Sequence, residues 1–307
     1  MKQEKRYLTT KEVARLLNVH EKAVYRLIND KQLPAIKVTG KWLFPQHFVE
    51  EWLDIYTLNH PRTHKAGSTG PALLVAGSDD LLLDWVVARF NSADSDQCAF
   101  FANTGSMGGL HALRSGLCHI AGCHLLQDDN DEYNFRFAED ELSRAPVFIN
   151  LSKRRQGLLL APANPHNIGS IKDLARPGMR IVNRPINTGT RLLLDYELSR
   201  ADISPAAIAG YDKTAARHLE AGVAVLKGWA DAAPAIEPVA EMLGLDFLPL
   251  RWERFDLLVD RDCVFDDPVQ RFLQLLTHPD MFAFAGQFSG YDLSMTGRIL
   301  YPERLEQ

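Results

Sequence analysis

TTKEVARLLNVHEKAVYRLINDKQLPAIKVTGKWLF, residues 9–44, reads as two short helices followed by a hairpin. Thr9 with Glu12 three residues on has the form of a capping box, which satisfies the free N–H groups of a helix start. Val13, Leu16 and Leu17 are expected on one face of that helix. Asn18-Val19-His20 makes a short turn, and Glu21–Asn29 a second helix that buries Val24, Leu27 and Ile28. Leu33-Pro34 ends the helical pattern. Ile36–Val38 and Lys41–Phe44 are strand-like runs about Gly40, and Pro45 is placed to begin a third helix.

What remains exposed carries the chemistry. The second helix turns Lys22, Tyr25, Arg26 and Asn29 outward, and the hairpin offers Lys37, Thr39, Lys41 and Trp42. A helix of this size fits the DNA major groove, where Arg and Asn read base edges while Lys and Thr hold phosphates. Solvated charge is the plainer explanation of any such face. The order helix, turn, helix, proline, basic hairpin favours DNA. Residues 7–55 resemble the excisionase-type, MerR-related DNA-binding domain, which implies a winged helix-turn-helix.

Charge divides the chain in the same place. Residues 1–65 carry 12 Lys and Arg against 7 Asp and Glu, whereas the whole chain carries 34 against 39. A basic front and an acidic remainder fit a DNA-binding head on a body with another task. The polar stretch HPRTHKAGSTG, residues 60–70, reads as a linker. The expected organisation is therefore a head at 1–60, a linker at 61–70 and a separate body at 71–307. No run of about 18 apolar residues is present, so no membrane span is expected. The polar start MKQEKRYLTTKEV lacks an apolar signal region, which points to the cytoplasm. Cys98, Cys118, Cys123 and Cys263 lack the spacing of a metal or redox motif.

From Pro71 on, strand-like runs alternate with amphipathic helices: Ala72–Ala76, Ala99–Phe101, His119–Gly122, Gly157–Pro162, Arg180–Asn183 and Leu245–Leu250 are the strands. This alternation predicts an α/β domain with a largely parallel sheet, whose ligands sit beyond the carboxyl ends of strands. Three polar loops, Gly77–Asp80, Asn103–Gly109 and Asn187–Arg191, open helices. Helix starts present free N–H groups and partial positive charge, and Ser78, Thr104, Ser106, Thr188 and Thr190 add hydroxyls. Each loop alone is explained as a helix cap; the three together suggest an anion site.

The phrases AGSDDLLLDWV, NTGSMGGLHALRSGLCHIAGCHLL, NRPINTGTRLLLDYEL, HLEAGVAVLKGWADAAPAI and GLDFLPLRWERFDLLV resemble the periplasmic-binding-protein-like domain. The similarity is greatest to its molybdate- and tungstate-binding branch. It implies two α/β lobes joined by crossover strands around a ligand cleft. The binding positions it implies are Ser78, Thr104, Ser106, Asn187, Thr188, Gly189, Thr190 and the region of Ala233. Arg191 is added as an anion contact, with pairing to Asp195 as the alternative. The family motif ADAGLGI is replaced by Ala230–Ile236, ADAAPAI, whose added methyl and proline are expected to narrow the cleft.

Other signals are weaker. The glycine-rich loop at 103–109 lacks the GK[ST] of a phosphate-cradling loop. His111, His119 and His124 are read as satisfied or exposed rather than metal-binding, and the acidic run at 128–132 as a surface loop. His218 stays open between a cleft role and a structural one. No nucleophile, base and acid fall at a recognisable spacing. The sum is a ligand-responsive regulator that binds a double-stranded DNA operator as a homodimer and senses a small anion, molybdate or tungstate, without a cofactor or metal. The alternatives are an enzyme with a DNA-targeting head and an excisionase-like architectural protein.

Overall fold

The computed structural model describes residues 7–31, 33–38, 40–56, 72–93, 96–127 and 132–302. Two compact units divide the chain, Met1–Thr63 and His64–Gln307. The expected linker at 61–70 lies outside the described residues, as does nearly all of the acidic run.

In the head, strand β1 (Tyr7–Thr9) leads into helices α1 (Thr10–Leu16) and α2 (Glu21–Asp30), then β2 (Ile36–Val38), β3 (Lys41–Pro45) and α3 (Gln46–Tyr56). The capping box forms as read: the Glu12 N–H donates to Thr9 Oγ1, and the Thr9 N–H to Glu12 Oε2. The hairpin β2–β3 turns at Gly40, whose φ of +79° suits glycine. Strand β1, which pairs with β3, has no period long enough to announce it. Pro45 ends β3, so α3 begins one residue later than expected. Leu8, Val13, Val24, Leu33, Phe44 and Val49 form the core. Leu16 is exposed, contrary to expectation. The buried stripe of α1 centres between Val13 and Ala14, and Leu16 falls about 100° from it.

The body begins with β4 (Ala72–Gly77), α4 (Leu81–Ser92), β5 (Cys98–Asn103), α5 (Gly105–Arg114), β6 (Ile120–Cys123) and α6 (Phe135–Glu141). The long strand β7 (Val147–Leu160) precedes α7 (Gly189–Arg200), α8 (His218–Leu226), β8 (Ala232–Ile236) and α9 (Glu237–Leu243). Strand β9 (Asp246–Val259), α10 (Asp267–Gln274) and α11 (Pro279–Ala285) complete the main elements. Strand β4 pairs in parallel with β5 and β6, but β9 is antiparallel to both β6 and β7, and β8 is antiparallel to β7. The sheet is therefore mixed rather than largely parallel. An alternation of strands and helices does not encode the direction in which a long strand returns.

Strands β7 and β9 are the crossovers. Their Val147–Asn150 and Asp256–Val259 ends belong with β6, and their Gln156–Leu160 and Asp246–Arg251 ends with β8. The first lobe packs Leu73, Leu82, Phe90, Phe255 and Phe272 together; the second packs Leu158, Leu194 and Leu198 on one side and Leu159, Val225 and Val239 on the other. Both crossovers extend well beyond the expected strands. Polar residues interrupted the apolar run in sequence, yet Asn150, Ser152, Arg154 and Gln156 alternate at the strand period and are all buried. Arg180–Asn183 makes only isolated parallel bridges.

Candidate ligand cleft and DNA-binding face

The loop after β4 and the starts of α5 and α7 meet between the lobes. Ser78, anchored by its N–H on the Gly122 carbonyl (2.9 Å), places its Oγ 3.0 Å from Ser106 Oγ. Both side chains are buried. From the second lobe, the Asn187 carbonyl accepts the Met107 N–H at 3.3 Å, and Gly189 lies against the His124 ring. A Cβ at Gly189 would stand 2.5 Å from that ring, so glycine is what lets the lobes approach. Thr190 Oγ1 accepts from Gln156 Nε2 at 2.9 Å.

The other expected positions are engaged differently. Thr104 precedes α5, but its hydroxyl accepts the Gly77 N–H. Thr188 caps α7 and donates to the Pro185 carbonyl. Asn187 is exposed at a φ of +73°. Arg191 is committed to Asp195 (3.1 Å), to the Tyr211 ring at 4.0 Å and to the Arg184 carbonyl, so its role is the structural alternative. Ala233 is a correction: it pairs with Leu159 inside β8 and packs in the apolar cluster around Val239, so its methyl is spent on the core of the second lobe.

Residues not singled out as ligand positions form the centre. His124 Nε2 is 3.0 Å from Ser78 Oγ and its Nδ1 2.9 Å from Glu253 Oε2, a serine–histidine–carboxylate chain that spacing did not reveal. The other Glu253 oxygen accepts from Arg154 Nε (2.6 Å) and Gln156 Nε2 (2.8 Å). Arg154 Nη1 reaches Asp80 Oδ2 at 2.7 Å and the Asp79 carbonyl, and its guanidinium lies 4.4 Å from the Phe255 ring. Asp79 crosses to the second lobe, where it accepts from Arg184 Nη2 and from the His218 N–H at the start of α8. Three carboxylates thus face two guanidiniums out of water.

Burial sets the charges. It raises the Glu253 carboxyl, but His124 and Arg154 outweigh it and hold the group below the usual range. It lowers His124, and lowers His218 well below the ordinary value with help from Arg184, Arg154 and His124. Arg154 Nη2, Arg184 Nε and both ring nitrogens of His218 are buried without a protein partner. Each such atom costs about 1–3 kcal/mol when left unsatisfied, so four around one salt-bridge cluster mark a place built for something polar.

In the head, Lys22, Tyr25, Arg26 and Asn29 are exposed along α2, and Lys37 and Lys41 along the hairpin. Trp42 is half-buried against the core, with Lys37 Nζ 5.5 Å above its ring, so it steadies the wing. Thr39 lies outside the described residues. Among the described residues no helix is long and apolar enough to cross a membrane.

Comparison with known proteins accords with this division. Residues 87–277 match the PBP superfamily domain. The chain belongs to the PBP superfamily. Residues 7–54 match a helix-turn-helix domain, so a DNA-binding head is joined to a PBP-like body. The uncharacterized protein YvgK of Bacillus subtilis (strain 168) is 28% identical over 301 residues, covering 95% of this chain and 97% of that one. An uncharacterized Clostridium pasteurianum protein from the 5' region of a 2Fe-2S ferredoxin gene is 31% identical over 111 residues, 36% of this chain and 97% of its own. The tungstate ABC transporter structure from Geobacter sulfurreducens shares the PBP fold at a TM-score of 0.50 and 13% identity, over 70% of this chain and 98% of that one.

Proposed function

We propose that the protein is a ligand-responsive transcriptional regulator: the head binds a double-stranded operator as a homodimer, and the PBP body senses a small anion. The observation that carries the anion is the pair of buried guanidinium nitrogens, Arg154 Nη2 and Arg184 Nε, left without protein partners on the two arginines that hold Asp79, Asp80 and Glu253, the last of which reaches Ser78 through His124. Guanidinium nitrogens only donate, so their missing partner is an acceptor. Molybdate and tungstate are the first oxyanions to try, with sulfate and phosphate as competitors of similar shape. Dimerisation follows from the small footprint of one winged helix, and operator binding assigns the protein to the cytoplasm. Ligand controls the operator only through its different affinity for two states of the protein.

The full chain should gain about 2.7 kcal/mol of stability at a hundredfold excess of its anion over the dissociation constant. Its operator affinity should change with that anion. A thermal-shift panel followed by operator titration with and without the active anion tests both; an anion that binds but leaves operator affinity unchanged refutes regulation.

One observation favours a second reading. Ser78, His124 and Glu253 stand as nucleophile, base and orienting acid at 3.0 and 2.9 Å, which suits acyl transfer. A fluorophosphonate probe should then label Ser78 in the wild type and not in His124→Gln. An unlabelled wild type dismisses the enzyme.

A further inference from the structure

The hydrogen-bond chain through the serine pair has a fixed number of protons. Ser106 Oγ accepts the His124 amide N–H at 3.2 Å. Ser78 Oγ lies 3.0 Å from both Ser106 Oγ and His124 Nε2, and His124 Nδ1 lies 2.9 Å from Glu253. Arg154 and Gln156 hold Glu253 as a carboxylate, which only accepts. Nδ1 therefore carries its proton, and a neutral ring must accept at Nε2. Ser78 donates to Nε2, which obliges Ser106 to donate to Ser78. Every proton in the chain is used internally, and neither hydroxyl has one left for an anion.

The chain also runs the other way. Nε2–H then donates to Ser78, Ser78 donates to Ser106, and the Ser106 proton is free for a ligand. Nδ1 still needs its proton to face Glu253, so this arrangement requires an imidazolium. The two directions differ by one proton.

We infer that the cleft takes its anion together with one proton, which lodges on His124 and reverses the chain so that Ser106 donates to the ligand. This rests on the anion-sensing reading of the same cleft. Around the ring, Glu253 and Asp79 favour the imidazolium, while Arg154, His218 and burial oppose it. Without ligand the opposition prevails and His124 is neutral. A bound anion adds the negative charge that favours the imidazolium. The ligand class is thus an oxyanion whose affinity rises as the pH falls.

Titration calorimetry of the full chain with sodium molybdate, tungstate and sulfate tests this, in two buffers of different ionisation enthalpy near pH 7. The binding heat should depend on the buffer as expected for about one proton taken up per anion, and the dissociation constant should rise up to about tenfold per pH unit. Glu253→Gln sets an amide donor against Nδ1, so the neutral Nε2–H tautomer reverses the chain unaided; whatever affinity the variant keeps should come without proton uptake. His124→Gln removes the titrating ring and should abolish the pH dependence, which keeps a variant available if Glu253→Gln does not fold. Wild-type heats independent of buffer overturn the coupling and leave the anion site standing. No heat with any of the three anions overturns the anion site and the coupling with it.

Discussion

The head and the body put their charges to opposite uses. In the head, Lys22, Arg26, Lys37 and Lys41 stand in water around a small apolar core, free to meet a polyanion. In the body, Arg154 and Arg184 are fully buried and have met their carboxylates inside the chain. Exposed charge costs the fold little and serves a partner. Buried charge is held at considerable cost by exact partners, and whatever enters the cleft must compete with them.

Arg154→Met should produce the largest effect. It leaves Asp80 and Glu253 buried without their common guanidinium, and breaking a buried pair from one side costs about 3–5 kcal/mol. In thermal unfolding followed by calorimetry, the transition of the body should fall by many degrees. Arg26→Met in the head should change its transition by less than about 0.5 kcal/mol. Equal losses would erase the contrast between the two units.

That contrast also explains what the amino-acid sequence made readable. The head is built from neighbours: Thr9 caps Glu12, Val13 packs near Val24, and Gly40 turns a hairpin between adjacent strands. Local periodicity and capping signals therefore sufficed, apart from the short β1. The two-lobed fold of the body was legible from its resemblance, and Ser78, Ser106, Gly189 and Thr190 fall where the loops converge. Its centre was hidden because Ser78, His124, Arg154 and Glu253 come from four separate elements. One signal was present. Asn150, Ser152, Arg154 and Gln156 alternate through a strand whose other positions include Ile149 and Leu151, as expected of a strand with a polar buried face.

Acid should weaken the body next. His124 and His218 have folded values below 6.5, the value they regain on unfolding. The unfolded body then binds protons that the folded body refuses, so stability is present above about pH 6.5 and is lost as the pH falls. The loss approaches about 1.4 kcal/mol per pH unit for each histidine until its folded value is reached. Asp84, whose carboxyl burial raises to about 6, works the other way and offsets part of it. Between about pH 7 and 5.5 the body transition should therefore decline. His218→Gln should flatten the decline; an unchanged slope would remove that histidine from the account.

Gly189→Ala sharpens the comparison within the body. The added methyl meets a His124 ring held by Ser78 on one side and Glu253 on the other, so the ring has no easy retreat. Overpacking of this kind costs about 1–3 kcal/mol, and here it acts on lobe closure. The expected result is weaker anion binding with a modest loss of thermal stability. Gly169→Ala is the control, since its methyl would enter open space. Anion affinity retained in Gly189→Ala would show that this approach of the lobes is dispensable for binding.

The remaining effect belongs to the head. Thr9→Ala removes the hydroxyl that accepts the Glu12 N–H, while the Glu12 carboxylate still takes the Thr9 backbone N–H. Half of the capping box survives, so the loss should be about 1 kcal/mol. Helix α1 is only seven residues long and depends on this start and on Val13 and Ala14 for its place. Its fraying should loosen α2, which packs against it through Val24, without touching any residue proposed to contact DNA. Operator affinity should therefore fall slightly and recover on cooling, whereas Arg26→Met should lower it at every temperature. The two variants distinguish a residue that holds the reading helix in place from one that reads.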